Sequence, residues 1–266
     1  MSKSSNKPLL VASGCSHTDP NFSSQWHRDL DTSWDKWPAI FGKKHGYEVI
    51  NVAESGSGND YIFRSVINAV NENPNTKLVL VLWSGWDRFQ IYRKRINPLS
   101  AVYARPGYNE TKDNAMYNLS KIVLDNYWDL NSIFNNNIFY MWTLQDFLKR
   151  RNIKYIFAQG VRPIVYKWEV NLPKWEVNQF EPRGSMKKQL FEQMNLFLNH
   201  TYYDDLDVEN FCGWPAFEEL GGNHLLSILY GRKDEYTISP QDGHPNAKGQ
   251  EKLFEIFSKV YKKIYA

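Results

Sequence analysis

The sequence predicts an α/β fold: a three-layer, flavodoxin-like parallel sheet covered by helices on both faces, with two aromatic-rich insertions. Three observations predict it. Four short apolar runs recur along the chain, too short and continuous for amphipathic helices. Segments with helical spacing of apolar residues lie between and after them. Continuous apolar strands belong to sheets buried on both faces, and such sheets are parallel. With 266 residues, 42% of them hydrophobic, the chain can enclose a full core. An aromatic content of 15% argues against disorder.

The elements follow in order. Pro8–Ser13 (PLLVAS) ends at Gly14 and reads as the first strand. Tyr47–Ala53 (YEVINVA), closed by SGSGN, is the second. Asp60–Asn71 is a helix with Ile62, Val66, Ile67 and Val70 on one face. Lys77–Trp83 (KLVLVLW) is the third strand, and the first insertion spans 95–130. Ile133–Arg151 is a helix with Ile138, Met141, Trp142, Leu144, Phe147 and Leu148 in a broad stripe and basic residues at its end. Lys154–Gln159 (KYIFAQ) is the fourth strand. The second insertion, 162–236, contains a helical stretch at Met186–Asn199 and a local duplication, KWEVN at 167–171 and 174–178. Its Trp residues either pack the insertion onto the core or form a sugar- or partner-binding surface. Asn246–Tyr265 is the terminal helix. No Gly/Ser-rich or Pro-rich linker divides the chain, so one domain over 1–266 is expected.

Composition narrows the function. Lys+Arg 32 against Asp+Glu 29 gives a net charge of +3, which implies no nucleic-acid partner held by a basic field. No apolar run approaches the ~18 residues of a membrane span. No membrane partner is therefore expected. The start lacks a small-residue cleavage pattern, so no signal peptide is expected. That places the protein in the cytoplasm or in a virion released by lysis. Cys15 and Cys212 exclude a disulfide scaffold and a Cys-rich zinc site. The oligomeric state stays open.

Four segments carry candidate chemistry. Ser16, in Gly14-Cys15-Ser16-His17-Thr18, follows the first strand. At a helix N-terminus its neighbourhood offers free N–H donors for an oxyanion, or Ser16 is an ordinary helix cap. His17 reads as a solvated ring in that first turn or as a cleft-lining residue. His244, in Gln241-Asp242-Gly243-His244-Pro245-Asn246, has Asp242 two residues before it, close enough to orient its ring; alternatively the segment is a plain turn. The turn Glu54-Ser55-Gly56-Ser57-Gly58-Asn59 can add an oxyanion N–H or cap a helix, and it matches no phosphate-loop pattern. Trp83-Ser84-Gly85-Trp86-Asp87-Arg88 ends the third strand, where open α/β sheets bind ligands. Asp87 and Arg88 read as an ion pair or as substrate contacts.

Taken as an ordered set, strand–GCSHT, strand–NVAESGSGN, strand–WSGWDR and a terminal DGHPNAKG, the sequence resembles the SGNH (GDSL-type) hydrolase superfamily. The resemblance covers the framework from Pro8 to Tyr265 without the insertions. It implies Ser16 as nucleophile, His244 as general base and Asp242 as its orienting carboxylate. It implies Gly56, after Asn51, as an oxyanion donor beside the Ser16 amide, and no metal or organic cofactor. Cys15 replaces the family's Asp. The third block lacks the family's Asn. Ser84, Asn59 and the Arg88 side chain are the candidates for its place. A lost oxyanion donor is worth about 2.7–4 kcal/mol in comparable sites. The last block reads D-x-H, the spacing of relatives in the polysaccharide O-acetylation branch. The resemblance thus implies a serine esterase that removes O-acetyl groups from carbohydrate, its partner a small-molecule or glycan ester. The alternatives are a non-catalytic binding or virion structural protein on the same fold, and an O-acyltransferase. The Asn-, Lys- and Tyr-rich composition is compatible with a phage source.

Overall fold

The computed structural model describes residues 7–91, 100–103, 122, 129–163 and 185–266. Its centre is a five-stranded parallel sheet. The strands are β1 (Leu9–Ser13), β2 (Glu48–Asn51), β3 (Thr76–Trp83), β6 (Lys154–Gln159) and β7 (Phe211–Cys212). Their order in space is β2-β1-β3-β6-β7. A separate antiparallel pair, β4 (Arg88–Ile91) and β5 (Ser100–Tyr103), lies outside that sheet.

Alternation along the strands divides the core into two layers. Leu78, Leu80 and Leu82 of β3 face one side with Leu10, Ala12, Ile156 and Ala158. That side is covered by α1 (Trp37–His45), α5 (Leu225–Tyr230) and α7 (Ala247–Tyr265). Val79, Val81 and Trp83 face the other side with Val11, Tyr155 and Phe157. There they meet α2 (Asn59–Glu72), α3 (Leu130–Arg150) and α4 (Ser185–Leu198). A strand residue on either face is thus buried, which is why these strands read as continuous apolar runs. The three-layer, parallel, doubly covered fold expected from the sequence is the fold observed. A short helix, α6 (Lys233–Tyr236), leads into the segment before α7.

Three details differ from expectation. First, the segment 162–236 is not wholly an insertion. It supplies the fifth strand, and α4 and α5 each cover a face of the sheet. Its Trp214 packs among Phe197, Tyr203 and Phe211, so this aromatic belongs to the core layer. The KWEVN duplication lies outside the described residues. Second, a helix covers the chain between β1 and β2, at Trp37–His45. Third, no helix begins at Ser16. Thr18 and Asp19 donate to the Cys15 carbonyl at 2.8 and 3.0 Å, forming a single turn that does not continue. Pro20 and the Asn and Ser residues after it favour turns over helix. Among the described residues, no helix is long and apolar enough to cross a membrane.

Parallel strands place all their carboxyl ends on one edge. The order β2-β1-β3 reverses direction at β1, and the crevice of such a sheet lies there, between the loops after β1 and β3. Ser16 follows β1 and Ser84 follows β3.

Candidate active site

The turn after β1 is built by its neighbours. Asn51, at the end of β2, donates its side-chain amide to the Thr18 carbonyl at 2.7 Å. Asp19 accepts from the Ser55 N–H at 2.8 Å and the Ser55 hydroxyl at 2.5 Å. Glu54 N–H donates to the Gly14 carbonyl. These bonds stitch the 54–57 turn to the turn carrying Ser16. Gly56 sits in the 54–57 turn at φ 84°, where a side chain would be strained. Among the described residues, neither the Ser16 N–H nor the Gly56 N–H donates a hydrogen bond.

The last segment of the chain reaches the same place. Gln250, in α7, donates to the His17 carbonyl at 3.2 Å and accepts the Trp37 N–H at 2.9 Å. That side chain joins the first turn, the free N-terminus of α1 and the terminal helix. Asn246 caps α7 through the Gly249 N–H at 2.9 Å, and its amide donates to the Glu235 and Thr237 carbonyls. The 239–246 segment is thereby fixed in front of β1.

The result is a line of three side chains. Ser16 Oγ lies 2.9 Å from His244 Nε2, across 228 positions of sequence. His244 Nδ1 lies 2.5 Å from Asp242 Oδ1, which also accepts the His244 backbone N–H at 3.1 Å. Asp242 is 1% exposed, whereas the His244 side chain is 31% exposed and Ser16 is half-buried. Burial pushes the Asp242 carboxyl upward, but the hydrogen bonds from His244 and Ser24 outweigh it and lower it to about 2. The carboxylate is therefore ionised at neutral pH and fixes the Nδ1–H tautomer, leaving Nε2 free to accept a proton from Ser16. Phe22 packs on the His244 ring with centroids 4.4 Å apart.

Not every candidate residue joins this line. Asn59 is buried, and its amide is spent on structure. Its Oδ1 accepts the Ser84 N–H at 2.7 Å, and its Nδ2 donates to the Ser84 carbonyl and to Asn137 Oδ1. Ser84 is fully buried, and its hydroxyl accepts from Arg88 at 2.7 Å. The Arg88 guanidinium also reaches the Ser57 carbonyl. Asn59 and Ser84 thus lock the β2 and β3 turns together, and both hydrogens of the Asn59 amide and the Ser84 backbone N–H are committed to that lock. Of the two readings of His17, the solvated ring is not the one observed. His17 is 8% exposed, its Nδ1 lies 3.7 Å from Cys15 Sγ, and its ring stands 5.0 Å from that of His244. No helix dipole acts on it, because no helix starts there. Burial instead pushes its imidazole below the ordinary range.

Two contributors carry no signal in the sequence. Ser24 donates to Asp242 Oδ2 at 2.5 Å. Phe22 covers His244. Both lie between Pro20 and Lys36, where Phe22, Trp26, Leu30 and Trp34 recur every fourth residue but no helix forms and no motif marks Ser24. Among the described residues, no group of three His, Cys, Asp or Glu side chains is placed to hold a metal ion.

Fold and site together define an α/β chain with a Ser–His–Asp line at the carboxyl edge of its sheet. No family model matches the sequence, and no curated protein matches it. Solved structures do. The chain is similar to TesA at 11% identity and a TM-score of 0.49, covering 96% of this chain and 98% of that one. It is similar to the psychrotrophic esterase EstA from Pseudoalteromonas sp. at 11% identity and 0.47, covering 96% and 97%. A member of the lipolytic protein G-D-S-L family from Veillonella parvula gives 9% identity and 0.42, covering 97% of each chain.

Proposed function

We propose that this chain is a serine-dependent ester hydrolase that removes O-acetyl groups from a carbohydrate. The observation that carries the reading is the 2.9 Å contact between Ser16 Oγ and His244 Nε2, with Asp242 Oδ1 2.5 Å behind the ring. In this reading Ser16 Oγ bonds to the ester carbonyl carbon while its proton passes to His244 Nε2. The carbonyl oxygen becomes an oxyanion and takes the uncommitted N–H groups of Ser16 and Gly56. His244 then protonates the departing sugar oxygen as the C–O bond breaks, releasing the sugar as an alcohol. A water molecule, deprotonated by His244, attacks the acyl carbon; the bond to Ser16 Oγ breaks, His244 returns the proton to Oγ, and the acid is released. Asp242 stays ionised throughout and stabilises the imidazolium. The D-x-H spacing, which resembles that of the polysaccharide O-acetylation branch, supports a sugar ester as substrate.

The test is intact-mass spectrometry after treatment with a fluorophosphonate. One adduct is expected, mapped to Ser16 and absent from Ser16→Ala and His244→Ala. Acetate release from acetylated oligosaccharides then identifies the substrate class. A folded protein that takes no adduct refutes the hydrolase reading and leaves a binding protein on the same fold.

A further inference from the structure

Asp242 is held on both carboxylate oxygens. Oδ1 faces His244, and Oδ2 accepts from Ser24 Oγ at 2.5 Å. The direction of that bond follows from the other contacts of Ser24. Its Oγ accepts the backbone N–H groups of Trp26, at 3.2 Å, and His27, at 2.9 Å. Those two donors occupy both lone pairs of the hydroxyl. Its single proton therefore points to Asp242. The pair is sealed from water: Ser24 is 4% exposed and Asp242 1%.

We propose that Ser24 is a positioning residue for the Ser16–His244–Asp242 line, an assignment that rests on the hydrolase reading above. A carboxylate bonded to His244 through one oxygen alone can rotate about its Cβ–Cγ bond. The Ser24 hydroxyl pins the second oxygen and so holds Oδ1 on the Nδ1–H. Charge-assisted bonds of this kind are short and directional, and a buried carboxylate oxygen without a donor is costly. Ser24 also couples the 20–36 segment to the site, since the same oxygen organises the Trp26 and His27 amides.

The structure separates this role from a simple tether. A second latch joins the same segments through other side chains. Ser239 Oγ accepts the Asp242 N–H at 3.0 Å and lies 2.8 Å from His27 Nε2. Thr32 Oγ1 also ties the segment to itself through the Phe22 carbonyl at 2.6 Å. Removing the Ser24 hydroxyl leaves the Ser239–His27 contact in place while freeing Asp242 Oδ2 and the Trp26 and His27 N–H groups.

The experiment compares wild type, Ser24→Ala and Ser24→Thr on two readouts. One is the downfield proton resonance of the His244 Nδ1–H, which reports the Asp242 contact whether or not the protein turns over. The other is ester hydrolysis, with Ser16 labelling in parallel. Ser24→Ala is expected to shift or broaden the resonance and to lower kcat about 10–100-fold, with KM changed less than about twofold. Ser24→Thr, which restores a hydroxyl, is expected to recover both. If Ser24→Ala does not fold, Ser24→Cys replaces it, keeping a small side chain without a strong donor. An unchanged resonance and an unchanged kcat in a folded variant overturn the proposal. The two readings fail separately. Wild type that labels at Ser16 while Ser24→Ala is unaltered sinks the Ser24 assignment alone. Wild type that takes no label sinks the hydrolase reading, whatever the resonance does.

Discussion

Asp242 concentrates the chemistry of this site in one buried carboxylate, and its protonation links the site to stability. Burial alone would raise its pKa; the donors His244 and Ser24 reverse the sign and bring it to about 2. An unfolded aspartate titrates near ~3.9. The folded state therefore binds fewer protons than the unfolded chain between those values. The stabilisation is fully present above the ordinary carboxylate range and is lost as pH falls through it toward about 2. Urea midpoints of wild type and Asp242→Asn, measured at pH 6, 4 and 3, are expected to converge on acidification. A gap that stays constant or widens at low pH contradicts the assignment. The carboxylate and its His were legible in the sequence because D-x-H is a local pattern. Ser24 was not, because it acts across 218 positions and no motif marks it. The packing of Asn59 is hidden from the sequence for a related reason. Residue type at a strand end suggests a donor, but only tertiary contacts tell whether its hydrogens are already used.

At the scale of elements, the terminal helix does more than cover the sheet. Its Leu253 and Phe257 are buried, and Phe257 stacks on Trp37 at 4.2 Å with the rings 8° apart. Its first turn approaches the backbone of α6 so closely that Gly249 has no room for a side chain. A Cβ there would lie 2.1 Å from the Tyr236 carbonyl oxygen. That same carbonyl accepts the Asn246 N–H, two residues after His244. In an exposed helix, Gly to Ala gains about 1 kcal/mol. Overpacking against backbone costs about 1–3 kcal/mol or more, so the clash decides the sign. Gly249→Ala is expected to lower Tm and to slow Ser16 labelling together, because the displaced carbonyl moves the His244 segment. A variant with raised Tm and wild-type labelling disproves the contact. This explains physically why a glycine closes HPN-x-x-G. The same scale shows where sequence reading stops. β1, β3, β6, α2 and α7 were legible because each has one strong period or an unbroken apolar run. α1 was missed, since nine residues containing Pro38 and Gly42 show little pattern. β7 is two residues long, and its place is set by pairing with Phe157 and Ala158 rather than by its own composition.

At the scale of the whole molecule, the site is assembled from the two ends of the chain. Ser16 and Ser24 come from the stretch between β1 and α1, and Asp242 and His244 from the stretch before α7. Gln250 bonds to both His17 and Trp37, and α1 packs on α7 through Trp37 and Phe257. β1 and α7 also share one core layer with β3 and β6. Removing the site without loosening that layer would require breaking the Gln250 and Trp37 contacts, which are buried within it. Loss of the site and loss of the core are therefore expected to be one transition. In guanidinium, the rate of Ser16 labelling, far-UV circular dichroism and Trp fluorescence should fall with the same midpoint, within the error of a two-state fit. Coincidence of the three follows from a catalytic line built on the core itself. A labelling midpoint well below the other two would mean that the 20–36 stretch opens as a local unit while the sheet persists. In that event the Ser24–Asp242 bond would be a closing contact made at the site's edge, and the joining of the chain ends through α1 and α7 would not govern the chemistry.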